Sequence, residues 1–116
     1  MGLNKNDNFC IFTDLLVNND TIRVYNIHLE SLHLGHDDYY LLENFEKNDS
    51  INVDGIKSIF YKFKKSYKKR ALQVIPIVNH IAKCKYSIIL CGDFNDTPVS
   101  YVYQQLSNKL DDAFRQ

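Results

Sequence analysis

Residues 53–82 constrain the fold of this chain more than any other stretch. From about Val53, apolar residues recur at intervals of three and four: Ile56, Ile59, Phe60, Phe63, Tyr67 and Ala71, then Val74, Ile75, Val78 and Ile81. That spacing predicts a long amphipathic helix. Pro76 lies inside it, and its ring removes one backbone hydrogen bond, so a break or kink is expected there. On either side the pattern becomes strand-like. Residues 9–17 (FCIFTDLLV) and 21–29 (TIRVYNIHL) are rich in β-branched and aromatic side chains, and Asn18-Asn19-Asp20 between them predicts a hairpin turn. A third apolar run, Tyr86–Cys91, follows the long helix. A short helix is expected over Asp38–Glu46, capped by Asp37 or Asp38. Pro98 is expected to open a last helix at Val99–Leu106, a favoured place for proline. Strand, strand, long helix, strand, helix is the order of an α/β fold with helices packed on a sheet.

At 116 residues the chain forms a single domain at most, with one modest core. Its formal net charge is zero, which removes any whole-chain electrostatic case for nucleic acid or membrane binding. No apolar run approaches the ~18 residues of a membrane span. No leader opens the chain, and one lying upstream of Met1 would leave the compartment open. Cys10, Cys84 and Cys91 are odd in number and stand in apolar contexts, which predicts small buried hydrophobes and no disulfide framework. Charge is unevenly spread: residues 1–56 sum to −7, residues 57–90 to +9 with no acid, and the remainder to −2. The basic block (Lys57, Lys62, Lys64, Lys65, Lys68, Lys69 and Arg70) reads first as a solvated helix face. Its functional alternative is a binding surface for nucleic acid or anionic lipid.

The chemistry-bearing residues gather at two strand ends. In Tyr86–Pro98, an apolar run ends in Gly92, and Asp93 and Asn95 follow with Phe94 between them. Alternation along a strand sends Asp93 and Asn95 to one side, and Gly92 allows a close backbone approach or a sharp bend. A carboxylate and an amide so placed suit a water, a divalent cation or a phosphate oxygen. Gly, Asp, Asn and Pro are also ordinary turn formers, so spacing alone leaves a turn and a site equally open. Asn26 and His28 repeat the arrangement at the end of the second strand run. His33 and His36 join His28 in no spacing that suits zinc, because Gly35 breaks the helix that would align them. His80 is expected to be a partly exposed helix residue. The kit of Asn26, His28, Asp93 and Asn95 suits metal-assisted hydrolysis of a phosphate ester, with histidine as donor to the phosphate or leaving oxygen.

Residues 24–31 (VYNIHLES) and 89–106 (ILCGDFNDTPVSYVYQQL) resemble two signature segments of the endonuclease/exonuclease/phosphatase (DNase I-like) superfamily. The resemblance runs through essentially the whole chain. It implies a four-layer α/β sandwich and cleavage of a phosphoester by an activated water with Mg²⁺ or Mn²⁺. It implies that Asp93 orients or deprotonates that water, and that Asn95 positions the water, the phosphate or the metal. His28 would contact the phosphate and assist the leaving oxygen, with Asn26 and Arg70 in support and Asp96 as loop structure. Asp93 and Asn95 would be the metal ligands at hand, since the family's metal-binding Glu has no counterpart in this sequence, nor has its closing Asp-His pair. Family domains are about twice this length, so residues 1–116 are expected to be a partial domain, inactive by itself. Nucleic acid, phospholipid and sugar phosphate all stand as substrate classes, with a lean towards nuclease, and no obligate protein partner is evident. The rival expectation is a catalytically dead module that binds nucleic acid or anionic lipid through the basic helix 57–70.

Overall fold

A computed structural model of the protein describes residues 9–45, 47 and 52–115. Among these residues the expected α/β architecture is present, with a three-stranded sheet and three helices. Strand β1 (Cys10–Val17) and strand β2 (Asp20–His28) form an antiparallel hairpin closed at Val17 and Asp20. Asn18 and Asn19 make the two-residue turn with φ of 50° and 72°. Left-handed backbone at both positions is what a tight hairpin needs, and asparagine tolerates it better than most residues. Strand β3 (Ser87–Asp93) lies parallel to β2 on its other side, giving the order β1-β2-β3. A parallel pair needs a crossover, and the long helix supplies it.

Helix α1 (His36–Glu43) is short, and its expected end at Glu46 lies outside the described residues. Its N-cap is Gly35, not Asp37 or Asp38; Asp38 stands at the third helical position, and its carboxylate accepts from the Gly35 N–H at 2.7 Å. Helix α2 (Val53–Ala82) begins at Asn52, whose side chain accepts from the Gly55 N–H at 2.9 Å. It runs without a break through Pro76. The carbonyl that Pro76 leaves unbonded is that of Leu72, four residues earlier, and both residues are exposed, so water can satisfy it. Helix α3 (Tyr101–Ser107) starts later than expected. Pro98 belongs to the preceding turn, and Ser100 caps the helix by accepting from the Tyr103 N–H at 3.1 Å.

The core lies on one face of the sheet. Tyr25 and Ile27 of β2 and Leu29 just beyond it point into the core and meet Val74, Ile77 and Ile81 of α2 and Val102 and Leu106 of α3. Fully burying each such aliphatic side chain contributes roughly 1.5–3 kcal/mol. The Tyr25 hydroxyl shares a 2.7 Å hydrogen bond with Nδ1 of His80, so the exposed histidine serves to satisfy a buried phenol. The opposite face of the sheet is open. Ile11, Leu15 and Val17 of β1 and Ile89 of β3 lie exposed there, in register with the outward residues of β2. Cys91 is on that face too, so it is exposed and not a buried hydrophobe, because alternation places it with Ile89 and Asp93.

Candidate active site

Burial of Tyr25, Ile27 and Leu29 on one face sends Asn26 and His28 to the other. The parallel register pairs Asn26 with Cys91 and His28 with Asp93. His28 and Asp93 are therefore neighbours at the carboxyl ends of adjacent strands, whose backbones lie about 4.8 Å apart across the sheet. Ligand sites of α/β sheets favour that edge. His28, Asn26 and Asp93 are all exposed, so solvent or a ligand can reach them.

Gly92 makes this edge possible. Its φ is +134°, and a Cβ there would lie 1.9 Å from the carbonyl oxygen of Ile27. No side chain fits such an approach, so the expected close contact is with the neighbouring strand itself.

Beyond Asp93 the strand ends and the chain closes into a side-chain turn. Asp93 Oδ1 accepts from the Asn95 N–H at 2.9 Å, and Asn95 adopts a left-handed φ of 48°. Strand alternation therefore governs Asp93 but not Asn95. The Asn95 side-chain amide donates to the carbonyl of Leu29 at 2.9 Å, while the Leu29 N–H donates to the Asp93 carbonyl at 3.0 Å. Both peptide groups of Leu29 are thus held by residues 93–95. The turn reading and the site reading are compatible here, because the strand register sets Asp93 beside His28 and the turn holds its carboxylate. The N–H₂ of Asn95 is thus engaged on the scaffold.

A second layer of polar residues fixes the two strand ends from below. Arg70 and Asp96 form an ion pair at 3.1 Å, with side chains only 4% and 3% exposed. Arg70 also donates to the Glu30 carbonyl at 2.9 Å and stacks 4.6 Å over the Tyr67 ring. Gln73, one turn on, accepts from the Glu30 N–H at 2.9 Å. Arg70 is therefore on the buried face of α2 and not on the solvated basic face. It links the segment after His28 to the loop after Asp93. Gln73 and the Glu30 backbone were not singled out in the sequence, although Ser66, Arg70 and Gln73 place polar groups at three- and four-residue spacing on an otherwise apolar face.

Among the described residues no group of three or more His, Cys, Asp or Glu side chains is placed to hold a metal. The donors near the paired strand ends are one exposed carboxylate, Asp93, and the amide oxygens of Asn95 and Asn26. One carboxylate and two amide oxygens are too few ligands to hold Mg²⁺ well by themselves. Exposed His33 approaches half-buried Glu30 at 3.7 Å as an i,i+3 pair.

Comparisons with protein-family models, with curated proteins and with solved structures found no match.

Proposed function

We propose that this chain carries part of the active site of a metal-dependent phosphoester hydrolase that uses water as nucleophile. The observation behind this reading is the register of His28 against Asp93, both exposed on one face at the carboxyl ends of parallel strands. Asp93, fixed by the Asn95 N–H, accepts a proton from or orients the attacking water. His28, across the strand pair, donates to a phosphate oxygen or to the leaving group. Mg²⁺ or Mn²⁺, held by Asp93 with Asn95, would supply positive charge against the negative charge that develops on the phosphate. Asn26 supports from one residue pair further back, and Arg70 keeps the two loops in place. Nucleic acid, phospholipid and sugar phosphate are the substrate classes in this reading.

In the same reading the three-stranded sheet is one side of a four-layer DNase I-like sandwich, with a second sheet over the face that carries Ile11, Leu15 and Ile89. The exposed apolar side chains on that face support it. The test replaces the corresponding segment of an active enzyme of the resembled superfamily with residues 9–115 and measures cleavage of plasmid DNA and bis(4-nitrophenyl) phosphate with Mg²⁺. Cleavage is expected, and Asp93→Ala or His28→Ala should each lower it at least ~100-fold, the usual scale for a lost acid or base. A folded chimaera without cleavage, or variants with unchanged rates, would refute the assignment.

A further inference from the structure

The outward face of α2 carries a pattern that the hydrolase reading does not use. Of the seven basic residues between 57 and 70, three are engaged by acids: Lys62 with Asp38, Lys69 with Glu30 and Arg70 with Asp96. Lys57, Lys64, Lys65 and Lys68 are exposed, and among the described residues none of the four forms an ion pair with an acid. At 100° per residue these four lie opposite the buried stripe of Ile59, Arg70, Val74, Ile77 and Ile81. No acid occurs on the helix from Lys57 to Ala82.

The outward side of the helix also displays apolar side chains, among the lysines and in the two turns that follow them. Phe60 is 72% exposed and Leu72 61%, and Tyr61 and Ile75 are exposed beside them. Lysines alone would suit any polyanion. Aliphatic and phenyl groups beside them have no favourable partner along a phosphate backbone in water, but they match the boundary between headgroups and acyl chains. Lysines near such a surface are attracted by anionic headgroups.

We propose that the outward face of α2 docks on an anionic membrane surface, with Lys57, Lys64, Lys65 and Lys68 on lipid headgroups and Phe60 and Leu72 inserted between them. The helix lies along the bilayer and does not cross it: no helix among the described residues is long and apolar enough to span a membrane. Docking of this kind goes beyond the hydrolase reading and stands whether or not Asp93 and His28 cleave a substrate.

The experiment is co-sedimentation of the full chain with vesicles of phosphatidylcholine containing phosphatidylserine, against vesicles of phosphatidylcholine alone, at low and high salt. Binding is expected only to the anionic vesicles and should weaken with salt. Each lysine at such a surface is worth about fivefold in partitioning, so Lys64→Gln/Lys68→Gln should lower binding ~25-fold. Phe60→Ser/Leu72→Ser changes only exposed residues and should also lower binding at unchanged charge. Two controls identify the surface and the ligand: Ile11→Thr/Ile89→Thr on the open sheet face, and a DNA oligonucleotide in place of vesicles. Equal binding to neutral vesicles overturns the proposal. So does binding abolished by the sheet-face pair but not by the helix variants, or tighter binding to DNA that is indifferent to Phe60 and Leu72.

Discussion

Arg70 holds the residues that follow His28 and Asp93 in one geometry. Its guanidinium reaches a carboxylate from one loop and a carbonyl from the other, and both charged side chains are almost fully buried. Such a pair is weak evidence for net stability, since desolvation offsets much of the attraction, but breaking it leaves a buried charge without its counterpart. Arg70→Met should therefore destabilise the chain by roughly 3–5 kcal/mol, a large share of what a small domain has. Arg70→Met/Asp96→Leu, which removes both charges, should recover a good part of that loss. Urea unfolding followed by circular dichroism measures each difference. A single variant as stable as the parent would remove Arg70 from the role assigned to it.

Helix α1 shows the same reasoning one level up. Few contacts hold it, and a main one is the ion pair of Asp38 with Lys62 of α2. The Lys62 ammonium, and after it the Gly35 N–H, hold the Asp38 carboxyl below the usual carboxylate range. A carboxyl lowered on folding stabilises the folded state above its unfolded value, near 3.9 for aspartate, and that contribution disappears as pH falls through the folded value. Docking of α1 should thus be constant from neutral pH down to about pH 4 and be lost only below that range. Amide chemical shifts of residues 36–43, followed by NMR through acid titration, report it. Asp38→Asn should show the undocked shifts already at neutral pH, and a variant that titrates like the parent would contradict the role.

How far such elements were legible in the sequence depended on which force shaped them. The hairpin, the crossover helix and β3 follow from hydrophobic period and turn chemistry, both written locally in the chain. The buried face of α2 did not follow, because Phe60, Tyr67 and Ile75 fit the apolar period yet lie exposed, while Arg70 and Gln73 are buried. Those two are drawn in by partners 40 and 43 residues away in sequence, which no local pattern records. That Asn26 and His28 share a face was legible from alternation alone, and the face they share with Asp93 was not. Their register across β2 and β3 required the fold. Asn95 was recognisable as a polar residue of that edge, but its left-handed backbone set its direction.

For the whole molecule, the open sheet face decides how the chain behaves in solution. Ile11 is 62% exposed and Ile89 51%, and with Leu15 and Val17 they put an apolar surface on two strands of one face. Surfaces of that kind in water tend to find another apolar surface, and β1 and β3 are also unpaired strand edges among the described residues. The isolated chain should therefore self-associate at micromolar concentrations and bind a hydrophobic dye. Ile11→Thr, Leu15→Thr and Ile89→Thr together keep β-branched or strand-compatible side chains while making the face polar. They touch neither the core face nor the His28–Asp93 edge, so the fold should persist. Sedimentation velocity should show association weakened at least ~10-fold, given the roughly 1.5–3 kcal/mol that each buried aliphatic side chain contributes. A parent chain that stays monomeric and binds no dye would mean that the exposed apolar face drives no association, and would remove the support it gives to a second covering sheet.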